Sequence, residues 1–185
     1  MTNRSVVALF ATLISFPWLA SAAVCMQQVL DGPRVLVASD PSPGPNGYAI
    51  YQVDPDASTD LGYGNSQPDT ISFEFYTLSS PALVAGTFDL ASALNSNYET
   101  CDQCVLVYRD FAGGTASQAF FQTAGTLTVN AATIPGSDPI TMTWQNVHLT
   151  EVTIDPNTFH STPVANGDCY DIVPDKVFVD GFEVN

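Results

Sequence analysis

Residues 70–78 read Thr-Ile-Ser-Phe-Glu-Phe-Tyr-Thr-Leu and form the clearest alternating pattern in the chain. Ile71, Phe73 and Phe75 fall at every second position, and side chains two residues apart on a β-strand point to the same face. The pattern therefore predicts a strand with one large apolar face. The other face carries Glu74, so we expect that face to contact water.

Similar short runs of β-branched and aromatic residues continue on both sides of this strand. They are separated by Gly, Pro, Asn and Asp, which is typical of all-β folds. We expect a single antiparallel β-sandwich, either jelly-roll or immunoglobulin-like. The predicted strands cover residues 34–38, 48–53, 70–78, 87–90, 105–111, 119–122, 126–131, 140–144 and 147–154.

Two details of the later strands are predicted from their apolar residues. Residues 105–108 are apolar on both faces, which favours a central position in the fold. The alternation of residues 140–144 is out of phase with that of 147–149, and residues 152–154 return to the first phase. These slips predict bulges or short turns near Gln145 and Thr150.

The first 22 residues have the features of a secretory signal peptide. Arg4 supplies a positive charge, residues 6–16 are apolar, and residues 20–22 are Ala-Ser-Ala, which suits signal peptidase. The apolar run is shorter than the roughly 20 residues of a membrane span. We expect a cleaved signal helix at 1–22, a sandwich domain at 23–175 and a tail at 176–185. The protein would then be periplasmic, cell-surface or extracellular.

The charge balance of the chain excludes several kinds of partner. Asp and Glu number 19 against 4 Lys and Arg, for a formal net charge of -15. Such a surface repels phosphate backbones and anionic headgroups, so we expect no nucleic-acid partner and no membrane partner after signal removal. A hydrophobic fraction of 45% predicts a folded domain rather than a disordered acidic chain.

The even number of cysteines in an exported chain predicts disulfide bonds. Three pairings are possible, and we favour Cys25 with Cys169 and Cys101 with Cys104, because the first pair ties the two ends of the domain together. The alternatives are a redox centre at Cys101 and Cys104, or a cysteine-rich zinc site, for which Cys25 and Cys169 or His148 and His160 would have to converge.

Residues 54–60, Asp-Pro-Asp-Ala-Ser-Thr-Asp, are a candidate calcium site. They offer three carboxylates and two hydroxyls, and Ca²⁺ takes six to eight oxygen ligands. The candidate ligands are Asp54, Asp56 and Asp60. A solvated turn is the alternative, because Asp, Ser and Pro are common turn residues.

Two loops, residues 62–67 and 95–99, combine tyrosine with amide side chains. A flat ring can stack on a sugar while neighbouring amides bond its hydroxyls, so a glycan or cell-surface partner is one prediction. Ordinary loops have the same composition. The candidate ligand-binding residues are Tyr63, Asn65, Asn97 and Tyr98.

Catalytic motifs are scarce in this sequence. It has no Gly-x-Ser-x-Gly elbow, no phosphate-binding glycine loop and no His-Glu-x-x-His pattern. Glu74 and Glu151 fall on predicted strands and are the candidate pair for a glycoside hydrolase, which needs two carboxylates about 5 Å apart when it retains configuration. Solvent-facing strand glutamates are the alternative, so no catalytic residue is expected.

Residues 98–108, 125–129 and 147–152 are the stretches through which the segment 100–155 resembles a group of uncharacterised secreted bacterial β-sandwich proteins. Residues 177–183, Val-Phe-Val-Asp-Gly-Phe-Glu, are similar to a short Phe-x-Asp-Gly-Phe-Glu tail at the C terminus of assorted exported proteins of some Gram-negative bacteria. The resemblance implies export and a sandwich fold, but no activity. An export or assembly signal is our hypothesis for the tail.

These observations predict an exported, non-catalytic β-sandwich protein that acts as a surface, matrix or ligand-binding module. A small carboxylate-dependent glycoside hydrolase and a carbohydrate-binding module are the alternatives. A structural or adhesive subunit is the third class. Calcium is the one cofactor that the sequence suggests.

Overall fold

The computed structural model describes residues 25–29, 34–40, 47–53, 69–76, 84–130, 142–173, 177–179 and 182–184. The proposed signal segment lies outside these ranges. The strands within them are β1 (Met26–Val29), β2 (Arg34–Asp40), β3 (Tyr48–Val53), β4 (Thr70–Tyr76), β5 (Gly86–Asp89), β6 (Gln103–Arg109), β7 (Gln118–Val129), β8 (Met142–Ile154), β9 (Ser161–Pro163), β10 (Cys169–Val173), β11 (Val177–Val179) and β12 (Phe182–Val184).

Strands β1 to β10 form one open mixed sheet. Its order is β1-β10-β8-β7-β6-β4-β3-β2, with β5 paired to β7 and β9 paired to β8. The β1–β10 pair is parallel, and the other described pairs of this sheet are antiparallel. The described residues contain no helix, and therefore none long and apolar enough to cross a bilayer. The all-β prediction is confirmed.

A long bent hairpin forms the middle of the sheet. Residues 119–122 and 126–129, which fall in two separate predicted strands, belong to the single strand β7, and residues 142–144 and 147–154 likewise belong to β8. The β7–β8 register shifts on both sides of Ala124. Gly125 lies there with φ +110°, so the backbone bends without ending the strand.

The predicted bulge near Gln145 is confirmed, and the predicted slip near Thr150 is wrong. Trp144 and Val147 both point into the main core although they are three residues apart, and Asn146 between them has a φ of 51°. Beyond Thr150 the alternation continues without interruption. Val152 is buried because the other face of the sheet is also covered there.

The main core lies on the inner face of the bent sheet. The rings of Phe73 on β4 and Trp144 on β8 lie 5.6 Å apart, although two strands separate β4 from β8 in the sheet. Phe120 and Tyr170 meet edge to face at 4.7 Å. Full burial of such side chains contributes about 1.5–3 kcal/mol each. The bend therefore brings distant strands onto one core.

A second, smaller cluster covers the outer face of the central strands. Leu106 belongs to it, whereas its neighbours Val105 and Val107 belong to the main core, which confirms that the predicted segment 105–108 is buried on both faces. The cluster contains Cys101, Cys104, Leu106, Phe121 and Val152. The expectation that Glu74 lies on a wet face is wrong, because this cluster and the chain segment before β6 cover it.

Two disulfides tie the fold, in the pairing that the sequence favoured. Cys25 is bonded to Cys169 and Cys101 to Cys104. The first bond joins the residue before β1 to the start of β10, across a separation of 144 residues. The four cysteines are all described, and none is free. Disulfides are consistent with an exported protein.

The C-terminal tail pairs with itself. Strand β11 is antiparallel to β12, with Val177 opposite Val184 and Val179 opposite Phe182. This two-stranded sheet is separate from the large one.

Candidate functional site

A buried carboxylate, Glu74, is the chemical centre of the second cluster. Only 3% of Glu74 is exposed. Its Oε1 accepts a hydrogen bond from the Ser72 hydroxyl at 2.9 Å. Its Oε2 accepts one from Tyr76 at 2.6 Å and one from Tyr98 at 2.9 Å. Burial of a carboxylate is costly unless it is hydrogen-bonded, and these three hydroxyls meet that requirement.

The backbone places these donors by two different routes. Ser72, Glu74 and Tyr76 alternate along β4 and so share its outer face. Tyr98 comes from the turn-rich segment 90–102 that precedes β6. Its backbone N–H donates to Ser161 Oγ at 3.1 Å, which attaches the segment to β9.

The tyrosines around Glu74 are held in their neutral form. Burial, and then the negative charge of Glu74, raise the pKa of Tyr98 to about 12. The same causes raise the pKa of Tyr76 and of Tyr108 far above the usual value of 10.0. The phenols therefore keep their protons well above physiological pH and can donate to Glu74 over that whole range.

An open pocket of 180 Å³ lies beside these tyrosines and is lined by Tyr76, Tyr98, Glu99 and Phe159. We call it the aromatic pocket. The rings of Tyr98 and Phe159 are nearly perpendicular, at 86°, with their centroids 6.2 Å apart. Phe159 is 55% exposed, a large value for an aromatic side chain. The pocket therefore offers ring surface to solvent.

A tight turn holds Phe159 in this exposed position. Asp155 Oδ1 accepts hydrogen bonds from the backbone N–H groups of Asn157 at 2.8 Å and Thr158 at 2.9 Å. These bonds lower the pKa of Asp155. The Phe159 N–H donates to the Asp155 carbonyl at 2.8 Å. Phe159 has a φ of 60°, which is unusual for a bulky residue.

The rim of the pocket carries a further acid. Glu99 Oε2 lies 2.9 Å from Nδ1 of His160, and both side chains are about half exposed, at 47% and 54%. This pair connects the 90–102 segment to the turn that carries Phe159. It also places a carboxylate at the mouth of the pocket.

Buried amides fix the 90–102 segment to the sheet. Gln122 is fully buried on β7. Its Oε1 accepts from the Val105 N–H at 2.6 Å, and its Nε2 donates to the carbonyls of Asn95 and Gln103, both at 2.9 Å. Asn95 Oδ1 in turn accepts from the N–H groups of Asp102 and Gln103. The role of these amides was not predicted: Asn95 begins the predicted 95–99 loop, and Gln122 is a polar residue at a buried strand position.

The structure brings together some of the predicted site residues. Tyr98 donates a hydrogen bond directly to Glu74, a contact that strand periodicity did not predict. Asn97 is next to Tyr98 in the chain, but its amide holds the loop against β9. Its Oδ1 accepts a hydrogen bond from the Ser161 N–H at 3.0 Å, and its Nδ2 donates one to the Ser161 carbonyl at 2.9 Å. The remaining candidates, Tyr63 and Asn65 for the ligand and Asp54, Asp56 and Asp60 for calcium, lie outside the described residues.

Glu74 and Glu151 lie on opposite faces of the sheet. Phe73 and Phe75 pack in the main core, so Glu74 between them points to the outer face. Val152, in contrast, packs in the second cluster, so its neighbour Glu151 points to the inner face. The two carboxylates of a glycosidase flank the bond that is cleaved, about 5 to 9.5 Å apart. Glu151 instead accepts from the Gln118 side-chain amide and the Asp168 backbone N–H, both at 3.0 Å.

The structure also bears on the alternative of a zinc site formed by cysteine and histidine side chains. Ligand atoms of Cys25, His148 and Cys169 lie within 4.8 Å of one another. Both sulfurs are bonded to each other, so the oxidised protein offers no thiolate to zinc. His148 Nδ1 instead lies 2.7 Å from Asp171 Oδ1.

The Cys101–Cys104 disulfide has the buried surroundings of a structural bond. Cys101 and Cys104 are both fully buried, and Cys104 lies in strand β6. Redox-active pairs are accessible and lie at a helix N-terminus. This bond therefore lacks the environment of a redox centre.

The fold and site together define an all-β protein with two disulfides, a buried acid–tyrosine cluster and an adjoining aromatic pocket. No family model, no curated protein and no solved structure matches this chain.

Proposed function

We propose that this chain is an exported, non-catalytic ligand-binding protein whose binding site is the aromatic pocket. The observation that carries the proposal is the exposure of Phe159 at right angles to Tyr98. A large ring held in water by a defined turn leaves apolar surface unburied, and a ligand that covers it gains about 25 cal/mol per Å².

We propose a non-catalytic role because the polar groups of the site already form hydrogen bonds with one another. Both oxygens of Glu74 already accept hydrogen bonds, and the hydroxyls of Tyr76 and Tyr98 are directed at that carboxylate. A general acid or base needs an atom within hydrogen-bond reach of the substrate. Glu74 is covered, so we propose that it has a positioning role.

We also make proposals for the fold class and for the export of the protein. We propose that the bent sheet is a β-sandwich, supported by the contact of Phe73 with Trp144 across the core. We propose that residues 1–22 direct export, and that the tail resembling those of other exported proteins assists export or assembly. Truncation after Asp175 should then reduce secretion, and unchanged secretion would remove the tail hypothesis.

The binding proposal is tested by ligand-observed NMR on the oxidised protein with a panel of small probes. The panel contains methyl glucoside, N-acetylglucosamine, choline and tetramethylammonium. We expect saturation transfer to at least one probe, lost in Phe159→Ala. The matched control is Val37→Ala, because Val37 is also an exposed apolar residue, at 43%, but lies on β2. Transfer to no probe, or transfer that survives Phe159→Ala, would contradict the proposal.

A further inference from the structure

We infer that the aromatic pocket recognises an alkylated ammonium group, a small organic cation, in preference to a neutral sugar. This inference rests on the proposed function and specifies the ligand class of the same site. Three features of the pocket support it: the use of its hydrogen-bonding groups, its charge and the arrangement of its rings.

The polar groups at the pocket are already engaged by the protein. The hydroxyls of Tyr76 and Tyr98 donate to Glu74, and the Asn97 amide is bonded to Ser161. Glu99 is paired with His160. A sugar needs several donors and acceptors to replace the water around its hydroxyls, since unpaired polar groups are costly when buried. An alkylated ammonium group needs few or none.

The electrostatic environment of the pocket favours positive charge. The faces of tyrosine and phenylalanine rings carry the negative part of their quadrupole. The Glu74 carboxylate lies behind the two tyrosines, and the Glu99 carboxylate lies at the rim. The chain as a whole carries a formal charge of -15, which attracts cations over longer distances.

The ring geometry matches that of an aromatic cage. Tyr98 and Phe159 form two perpendicular walls, with centroids 6.2 Å apart, and Tyr76 contributes a further aromatic surface. A cation within about 6 Å of a ring centroid is attracted by the ring, and quaternary ammonium ligands are recognised in this way. A primary ammonium is less suited, because its strong hydration requires acceptors in exchange.

The experiment compares choline with 3,3-dimethylbutan-1-ol, its neutral carbon isostere, by isothermal titration calorimetry. The two molecules have the same shape, so a difference in affinity reports the charge. We expect choline to bind at least about fivefold more tightly than the isostere, as a gain of about 1 kcal/mol per cation–π contact implies. Methyl glucoside serves as the sugar probe.

Three variants separate the roles of ring and charge. Phe159→Ala should weaken choline binding about tenfold, whereas Phe159→Trp should restore it, because tryptophan is the best cation–π partner. Glu99→Gln keeps the shape of the rim but removes its charge, and should weaken choline about two- to fivefold without affecting the isostere. Val37→Ala should leave both affinities unchanged. Thermal unfolding checks that each variant is folded.

The outcomes distinguish this inference from the proposed function. Equal affinity for choline and its isostere, or Phe159-dependent binding of methyl glucoside alone, would overturn the cation preference and leave a binding pocket in place. No binding of any probe to the folded, oxidised protein would overturn both proposals.

Discussion

The Tyr98 hydroxyl donates a hydrogen bond of 2.9 Å to Oε2 of Glu74, which joins the turn-rich 90–102 segment to strand β4. The bond satisfies a buried charge and fixes the ring that forms one wall of the aromatic pocket. The stability of the second cluster and the shape of the aromatic pocket therefore depend on the same contact.

Substitution of Glu74 by Gln should make the buried tyrosines easier to ionise. The charge of Glu74 is the second cause, after burial, of the raised pKa of Tyr98. Its removal should move the pKa of Tyr98 from about 12 towards the usual 10.0. Spectrophotometric titration of tyrosine measures this change. Glu99→Gln is the control, and an unchanged alkaline titration in Glu74→Gln would contradict the arrangement.

Removal of the Tyr98 hydroxyl should destabilise the protein in a pH-dependent way. Tyr98→Phe loses a hydrogen bond to a buried charge, worth about 1.5–3 kcal/mol. Because folding raises the pKa of Tyr98 from 10.0 to about 12, its contribution is fully present below pH 10 and is lost as pH rises through 12. Urea unfolding should show the difference from wild type shrinking across this interval. A constant difference would contradict the account.

Gly125 should be intolerant of any side chain. A Cβ atom there would lie 2.6 Å from Val147 Cα and 2.7 Å from the Asn146 carbonyl oxygen. With the strained φ added, Gly125→Ala should cost at least about 2 kcal/mol in the free energy of unfolding. Gly113 is the matched control, since its φ of +60° is also positive but no atom lies within 4 Å of its Cβ position. Equal losses in the two variants would show that the bend does not need this glycine.

The two disulfides should differ in their effect on stability. In the loop-entropy model, closure across 144 residues contributes about 5 kcal/mol, and closure across 3 residues contributes about 2 kcal/mol. The Cys25→Ala/Cys169→Ala variant should therefore unfold at lower urea than Cys101→Ala/Cys104→Ala. The reverse order would mean that packing around the buried Cys101–Cys104 bond outweighs chain entropy.

Much of the sheet was predictable because its inner strands alternate or are apolar throughout. The prediction at 48–53 matches β3, and the buried segment 105–108 lies within β6. Strands β1, β9 and β10 escaped prediction, since they are short and are defined by pairing with residues far away in the sequence, such as Met26 with Tyr170.

The candidate site was only partly predictable, because its chemistry depends on which segment covers the outer face. The two-residue period placed Glu74 on a separate face from Phe73, but it carries no information on whether that face is wet. Tyr98 was predicted as a ligand residue from composition alone. Phe159 was missed, although the turn-forming residues that begin at Asp155 could have indicated that the following aromatic is held outward.

Binding of an organic cation in the aromatic pocket is measured most directly by aromatic NMR of the oxidised protein titrated with tetramethylammonium. We predict saturable shifts of the Phe159 and Tyr98 ring signals, with no shift of Phe73, which is buried in the main core. The absence of any saturable shift at Phe159 and Tyr98 would contradict the account.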